Sequence, residues 1–450
     1  MPRPNFAGVR RCSPVDRRFW YALGAIVLVA LGLRVAYVLT VTRHEVAFND
    51  SLYYISEASL LAAGDGFVEP FAQITHPHKP PPEVGDHPPL TSIVLLPGAA
   101  LDDTLFMRFE MVVLGLGVVV LTGLLGRRVG GNATGLIAAG IAAVYPSLWT
   151  NDGLLMSETL ATLLTVSAVL LTYRLFRTRR WLDAVALGAV IALDALTRAE
   201  FALLFPLLVL PVLWSLRDDR RLAITLGSAA LATSLVVVAP WIGYNMARFD
   251  KPTLLSTGDG LALAGANQTR TYHGRLLGYI AFLEHLPRAS DQSDLSQKLR
   301  RRAVDYALDH SDRWPAVVGA RLGRVFSVFR LSQTAQFAAR DGRPTWATWW
   351  ANAMLWLLAP IAVASAIALR RRRRRVWPLL MPFIVVTIAA GLFGGLPRYR
   401  SPAETSLAVL AAVGLTGAAS VGARRPSRDA VAGRASDGVA DEIEVAELRR

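Results

Sequence analysis

Phe19–Leu39, FWYALGAIVLVALGLRVAYVL, carries one charge, Arg34, in a run long enough as a helix to cross the roughly 30 Å hydrocarbon core of a bilayer. The run is longer than the core of a signal peptide and no small-x-small cleavage site marks its end, so it reads as a first membrane helix. Val112–Leu125 and Leu222–Val238 repeat the pattern with their flanks. Of 450 residues 53% are hydrophobic, more than a soluble chain of this size buries, and the excess must face lipid.

Apolar runs near 19–40, 105–126, 131–149, 154–173, 181–197, 200–216, 222–246, 346–369, 376–396 and 402–421 predict an all-α polytopic membrane protein of about ten transmembrane helices. With residues 1–18 in the cytoplasm, alternate connections carry Arg127 and Arg128, then Arg174, Arg177, Arg179 and Arg180, then Arg217, Arg220 and Arg221, then Arg370 to Arg375. That alternation is the positive-inside pattern. It accounts for the net charge of +14 without a nucleic-acid partner, because the arginines fall in short clusters between apolar runs rather than along one basic face. Cys12, the single cysteine, excludes an intrachain disulfide and a cysteine metal cluster.

The opposite connections include two long loops, 41–104 and 247–345, in which Ser51–Ala63 and Leu295–Leu308 have the spacing of helices lying on the membrane surface. Ala316–Leu331 is amphipathic, but as a span it would invert the final orientation and misplace Arg370 to Arg375, so it is not counted. Residues 19–421 are expected to form one membrane domain. Residues 422–450, poor in aromatics and rich in Ala, Gly, Asp, Glu and Arg, are expected to be a disordered cytoplasmic tail.

Chemistry-bearing groups cluster on the non-cytoplasmic side. Asp50, in Phe48-Asn49-Asp50-Ser51-Leu52-Tyr53-Tyr54, can serve as a base or as a helix N-cap. Asp86-His87-Pro88-Pro89-Leu90 forms a turn stiffened by two prolines. Glu158 opens an apolar helix, where the helix dipole would suit it, yet a carboxylate at membrane depth is costly and tends to mark function. Asp194 has a sufficient account in pairing with Arg198 one turn on. Arg198, beside Glu200, and Arg398-Tyr399-Arg400 fall at outer span ends, where basic residues are unexpected. Their planar guanidiniums suit a lipid-linked phosphate; internal pairs with Glu200 or Glu404 are the competing explanation. His44, His76, His78 and His87, with Asp50 and Glu158, leave a divalent ion open without a diagnostic spacing.

In this order, Asp50 with its tyrosines, Asp86-His87-Pro88-Pro89-Leu90, Glu158, Leu196-Thr197-Arg198-Ala199-Glu200, Ser256-Thr257-Gly258-Asp259-Gly260, Gly265-Ala266-Asn267 and Arg398-Tyr399-Arg400-Ser401-Pro402 resemble the C-type (GT-C fold) glycosyltransferases. The resemblance is to family-39-like enzymes related to protein O-mannosyltransferases and the lipid A aminoarabinose transferase. It covers most of the chain, with Asp86-His87 where the family has Glu-Lys and Asp50-Ser51 where the mannosyltransferases have an aspartate-glutamate pair. It implies a cell-membrane enzyme that moves a sugar from a polyprenyl-phosphate donor to a hydroxyl of a protein, glycolipid or polysaccharide on the non-cytoplasmic face, with no nucleotide site needed and a divalent metal left open. By the same resemblance Asp50 and Glu158 are the catalytic carboxylates, Arg198, Arg398 and Arg400 receive the donor phosphate, and Tyr54, Asp86, His87 and Tyr399 contact substrate. A polytopic transporter or lipid flippase is the main alternative, and a scaffold binding envelope polymers a third. Two long outer loops and charges gathered at one face favour the enzyme.

Overall fold

The computed structural model describes residues 14–44, 50–72 and 80–422. The expectations for His76, His78, most of the N-terminal segment and the tail beyond 422 lie outside these residues. Among the described residues the chain is helical, with one isolated antiparallel bridge between Val68 and Glu83.

The principal helices, in chain order, are α1 Pro14–Tyr37, α2 Asp50–Ala63, α3 Thr104–Gly130, α4 Asn132–Val144, α5 Pro146–Asp152, α6 Ser157–Thr178, α7 Trp181–Ala195, α8 Arg220–Arg248, α9 Gly258–Ala266, α10 Gln292–Asp309, α11 Trp314–Val325, α12 Leu331–Arg340, α13 Thr345–Arg371, α14 Trp377–Phe393 and α15 Ser401–Gly422. Their composition explains the packing. α3, α4, α6, α13 and α15 bring small residues such as Ala138, Ala139, Ala142, Ala351, Ala411 and Ala412 to one core, so the backbones approach closely, as membrane helices do where burial of apolar surface gives no driving force.

Five helices among the described residues are long and apolar enough to cross a membrane, and six if α4 and α5, bent by 56°, are one broken span. For three of the four remaining apolar runs, all but the one that forms the 22-residue α15, the difference is one of length. α7 and α14 are short, and the run at 200–216 is split into a 3₁₀ turn, Ala199–Leu203, a π-helical turn, Phe205–Val209, and a last turn, Leu210–Trp214, around Pro206 and Pro211. α11 is likewise too short to span.

The two long loops, 41–104 and 247–345, fold on each other where described. α2 heads the first, and α9 to α12 make the second. Their junction is Asp86: Gln292 donates to its carboxylate at 2.7 Å, Ser256 to its carbonyl at 2.5 Å, and the Thr257 amide to the Gly85 carbonyl at 2.7 Å. A Cβ at Gly258 would collide with the Asp86 carbonyl, so glycine alone permits this approach.

Candidate active site

The site forms where four separate backbone breaks meet. α2 begins at Asp50. Between α5 and α6 the chain turns through Leu155, buried and left-handed at φ 55°, and α6 then starts with Ser157 and Glu158. A branched residue takes that conformation only under strain, which the surrounding packing must hold. Arg198 ends the turn after α7 in an extended conformation, and Arg398 lies in the 3₁₀ turn Pro397–Arg400 ahead of α15.

Arg398 sits at the centre. Its Nη2 donates to Asp50 Oδ2 at 2.7 Å and its Nε stands 3.6 Å from Glu158 Oε1. Arg198 approaches Glu158 Oε1 from the other side, at 3.4 Å, while its Nε donates to Glu200 at 2.8 Å. The Tyr399 ring lies beneath both guanidiniums, 5.0 Å from Arg198 and 5.7 Å from Arg398. Glu158 is sealed at 1% exposure, whereas a third of the Asp50 side chain is open. Tyr54 shares a hydrogen bond with Ser157, and the His87 ring packs against Tyr53 and Tyr54, 4.8 and 5.0 Å between centroids.

Burial by itself would raise the Asp50 carboxyl. The Arg398 guanidinium, helped by His87 and Arg198, outweighs it and holds the group well below the usual carboxylate range. Burial pulls the His87 imidazole down, opposed by Asp50 and reinforced by Arg198 and Arg398. Asp86 is pushed up to about 7 by burial together with the Glu69 and Glu57 carboxylates.

Asp50, Glu158, Arg198, Arg398, Tyr399, Tyr54 and His87 therefore share one neighbourhood. Asp86 joins the two long loops behind them. Arg400 does not take part: it is fully buried, donates to Glu404 at 2.5 Å, to the Val325 carbonyl at 2.5 Å and to Ser327 at 2.9 Å. The pair with Glu404, the competing account of this arginine, is present in the structure, and Arg400 also lines the cleft described below. Asp194 also departs from expectation, since it accepts from Thr165 at 2.8 Å while Arg198 turns to the glutamates. Among the described residues no three His, Cys, Asp or Glu side chains are gathered to hold a metal ion.

One site arginine was missed from the sequence. Arg343, immediately before α13, is buried, donates to Asn151 at 2.8 Å, and has an Nη1 atom with no hydrogen-bond partner, 3.6 Å from Asp341. With Arg398 and Arg400 it lines a cleft whose other walls include Phe337, Ala347, Ala351 and Leu396. The available signal was a basic residue at a helix N-terminus, where the macrodipole disfavours it. Behind the site Arg34 of α1 donates to Asp152 at 2.6 Å, and Thr159 donates to the same carboxylate at 2.8 Å. A Cβ at Gly115 of α3 would occupy the space of that carboxylate.

Residues 86–244 match the sequence profile of the family described as dolichyl-phosphate-mannose-protein mannosyltransferase. No curated protein matches the chain by sequence. Among solved structures, the apo oligosaccharyltransferase of Archaeoglobus fulgidus aligns with a TM-score of 0.54 and 15% identity, over 88% of this chain and 50% of that one. The oligosaccharyltransferase AglB of the same organism, in complex with an inhibitory peptide and a dolichol-phosphate, aligns at 0.52 and 14%, over 90% and 51%. ArnT of Cupriavidus metallidurans bound to undecaprenyl phosphate aligns at 0.42 and 14%, over 88% and 78%. The chain thus spans about half the length of the archaeal structures it matches. Its fold is of the GT-C kind, and the match to the mannosyltransferase profile is confined to residues 86–244.

Proposed function

We propose that this protein is a membrane glycosyltransferase that takes a sugar from a polyprenyl-phosphate carrier and places it on an acceptor hydroxyl at the non-cytoplasmic face of the cell membrane. The observation that carries the reading is Arg398 between Asp50 and Glu158, three groups drawn from distant parts of the chain. In the reaction the acceptor oxygen forms a bond to the anomeric carbon as Asp50 takes the hydroxyl proton. The bond from that carbon to the phosphate oxygen breaks, the electron pair leaves with the polyprenyl phosphate, and attack from the opposite face inverts the anomeric centre.

The leaving phosphate gathers negative charge, and Arg398, Arg198 and Arg343, all mostly buried, are the guanidiniums placed to meet it. Glu158 keeps the two arginines it touches oriented. The apolar walls of the cleft beside Arg343 and Arg398 suit the isoprenoid chain, and the archaeal structure of this fold solved with a dolichol-phosphate supports a carrier of that class. A transporter would place its charges near the midplane of the bundle; here they gather at one end.

The test is Asp50→Asn, assayed in membranes supplied with polyprenyl-phosphate sugars. The expected result is a folded protein whose turnover falls at least about 100-fold, the usual worth of a positioned base. Full turnover by the variant would remove Asp50 from the mechanism. Mass spectrometry of lipid-linked sugars and envelope glycans in a deletion strain then names the sugar and acceptor, through the donor that accumulates.

A further inference from the structure

The end of the bundle remote from Asp50 carries a second concave site. α3 and α6 finish side by side, and between their last turns lies a cleft lined by Arg127, Arg128, Arg174 and Arg177, with Leu124 and Leu170 as its apolar wall. The helix length puts it far from the first site: along α6 Arg174 follows Glu158 by about four and a half turns, roughly 24 Å at the helical rise.

The four guanidiniums are not equivalent. Arg174 is paired with Asp183 at 2.7 Å. Arg127 lies over the Phe19 ring at 4.4 Å, at the start of α1. Arg128 and Arg177 have no carboxylate partner among the described residues, and they repel each other across the cleft. The carboxyl ends of α3 and α6 offset part of this charge, since each helix presents partial negative charge there. Arg128 and Arg177 therefore carry charge into the cleft that no carboxylate offsets among the described residues. A preference for basic residues on one side of the membrane explains why arginines occur at this level; it does not explain why two helices aim unpaired arginines into one gap.

We propose that this cleft holds the phosphate headgroup of an anionic membrane phospholipid. A phosphate between Arg128 and Arg177 neutralises the repulsion and gives each guanidinium charge-assisted hydrogen bonds. The source is a lipid rather than a soluble anion because Leu124 and Leu170 lie about one helical turn deeper than Arg128 and Arg174, so they continue the cleft toward the hydrocarbon and give acyl chains a surface to follow. The bound lipid would clamp α3 to α6, the helix that carries Glu158 at its other end. The inference is independent of the proposed enzymatic function.

The experiment uses the full chain in a neutral detergent, analysed by native mass spectrometry with phosphatidylglycerol or phosphatidylcholine of identical acyl chains. The expected result is a phosphatidylglycerol adduct that survives activation, at least fivefold more abundant than the phosphatidylcholine adduct. It should be lost in Arg128→Gln/Arg177→Gln, kept in part by Arg128→Lys/Arg177→Lys, and unchanged in Arg343→Gln, which reports on the other cleft. Equal retention of both lipids, or an undiminished adduct in the Gln pair, overturns the proposal. So does a thermal shift with inorganic phosphate as large as that with phosphatidylglycerol, which would assign the cleft to a soluble anion. The Lys pair keeps the test decisive should the Gln pair fail to fold.

Discussion

Arg398 Nη2 lies 2.7 Å from Asp50 Oδ2, joining two residues 348 positions apart in sequence. The carboxylate proposed as base is thus held by the guanidinium proposed to meet the donor phosphate. A phosphate arriving at Arg398 competes with Asp50 for the same donors and frees the carboxylate to accept a proton.

Replacing Arg398 with Gln should act twice. Losing one charged donor to the leaving phosphate is expected to lower kcat by about 100- to 1000-fold. It also removes the main influence opposing burial at Asp50, so the carboxyl rises toward and above the usual range. Because a base works only when deprotonated, the acidic limb of the kcat/KM profile should move to higher pH. A limb that stays in place would assign the titrating base to another residue.

Arg343 contacts Asn151 and the cleft but neither carboxylate of the proposed chemistry within hydrogen-bond range. Arg343→Gln is therefore expected to raise KM for the donor by about tenfold, the worth of one charge-assisted hydrogen bond, with a smaller effect on kcat. Steady-state kinetics with varied donor separates the two parameters. A loss confined to kcat would move Arg343 into the chemical step.

Arg400 should behave as a structural residue. Arg400→Gln leaves Glu404 charged and buried, at a cost of roughly 3–5 kcal/mol, while Arg400→Gln/Glu404→Gln removes both charges and should recover much of it. Thermal unfolding in detergent reads this directly. A single variant of normal stability with weakened donor binding would restore Arg400 to the phosphate site.

The junction of the long loops should be sensitive to pH. Asp86, raised to about 7 in the fold, binds a proton that the unfolded chain has released between its ordinary value near 4 and 7. Its contribution to stability is therefore full below about pH 4, declines as pH rises to 7, and is flat above. Melting temperature should fall by roughly 2–4 °C from pH 5 to pH 8. Asp86→Asn, fixed in an uncharged form, should flatten that slope, and an equal slope in the variant would place the titration elsewhere.

Much of this was legible in the chain itself. Runs such as Phe19–Leu39 declare membrane helices because hydropathy is a local property. Arg198 and Arg398 stood out because basic residues are unexpected at those span ends, and Glu158 because a carboxylate at membrane depth is costly. The broken stretch at 199–214 did not, because hydropathy is blind to the prolines and the π-helical turn that divide it. Nor did Arg343, whose importance rests on Asn151 from a different helix.

Arg398 and Arg400 mark the boundary between the two kinds of information. The sequence by itself determined the membrane class, the end of the bundle where acidic and basic groups gather, and the residue types available there. It assigned both arginines of Arg398-Tyr399-Arg400 the same role. In the folded protein one 3₁₀ turn sends Arg398 to Asp50 and Arg400 to Glu404 and Val325. Tertiary structure alone made that choice, because the direction of a side chain depends on the backbone turn and on the groups that other helices bring within reach.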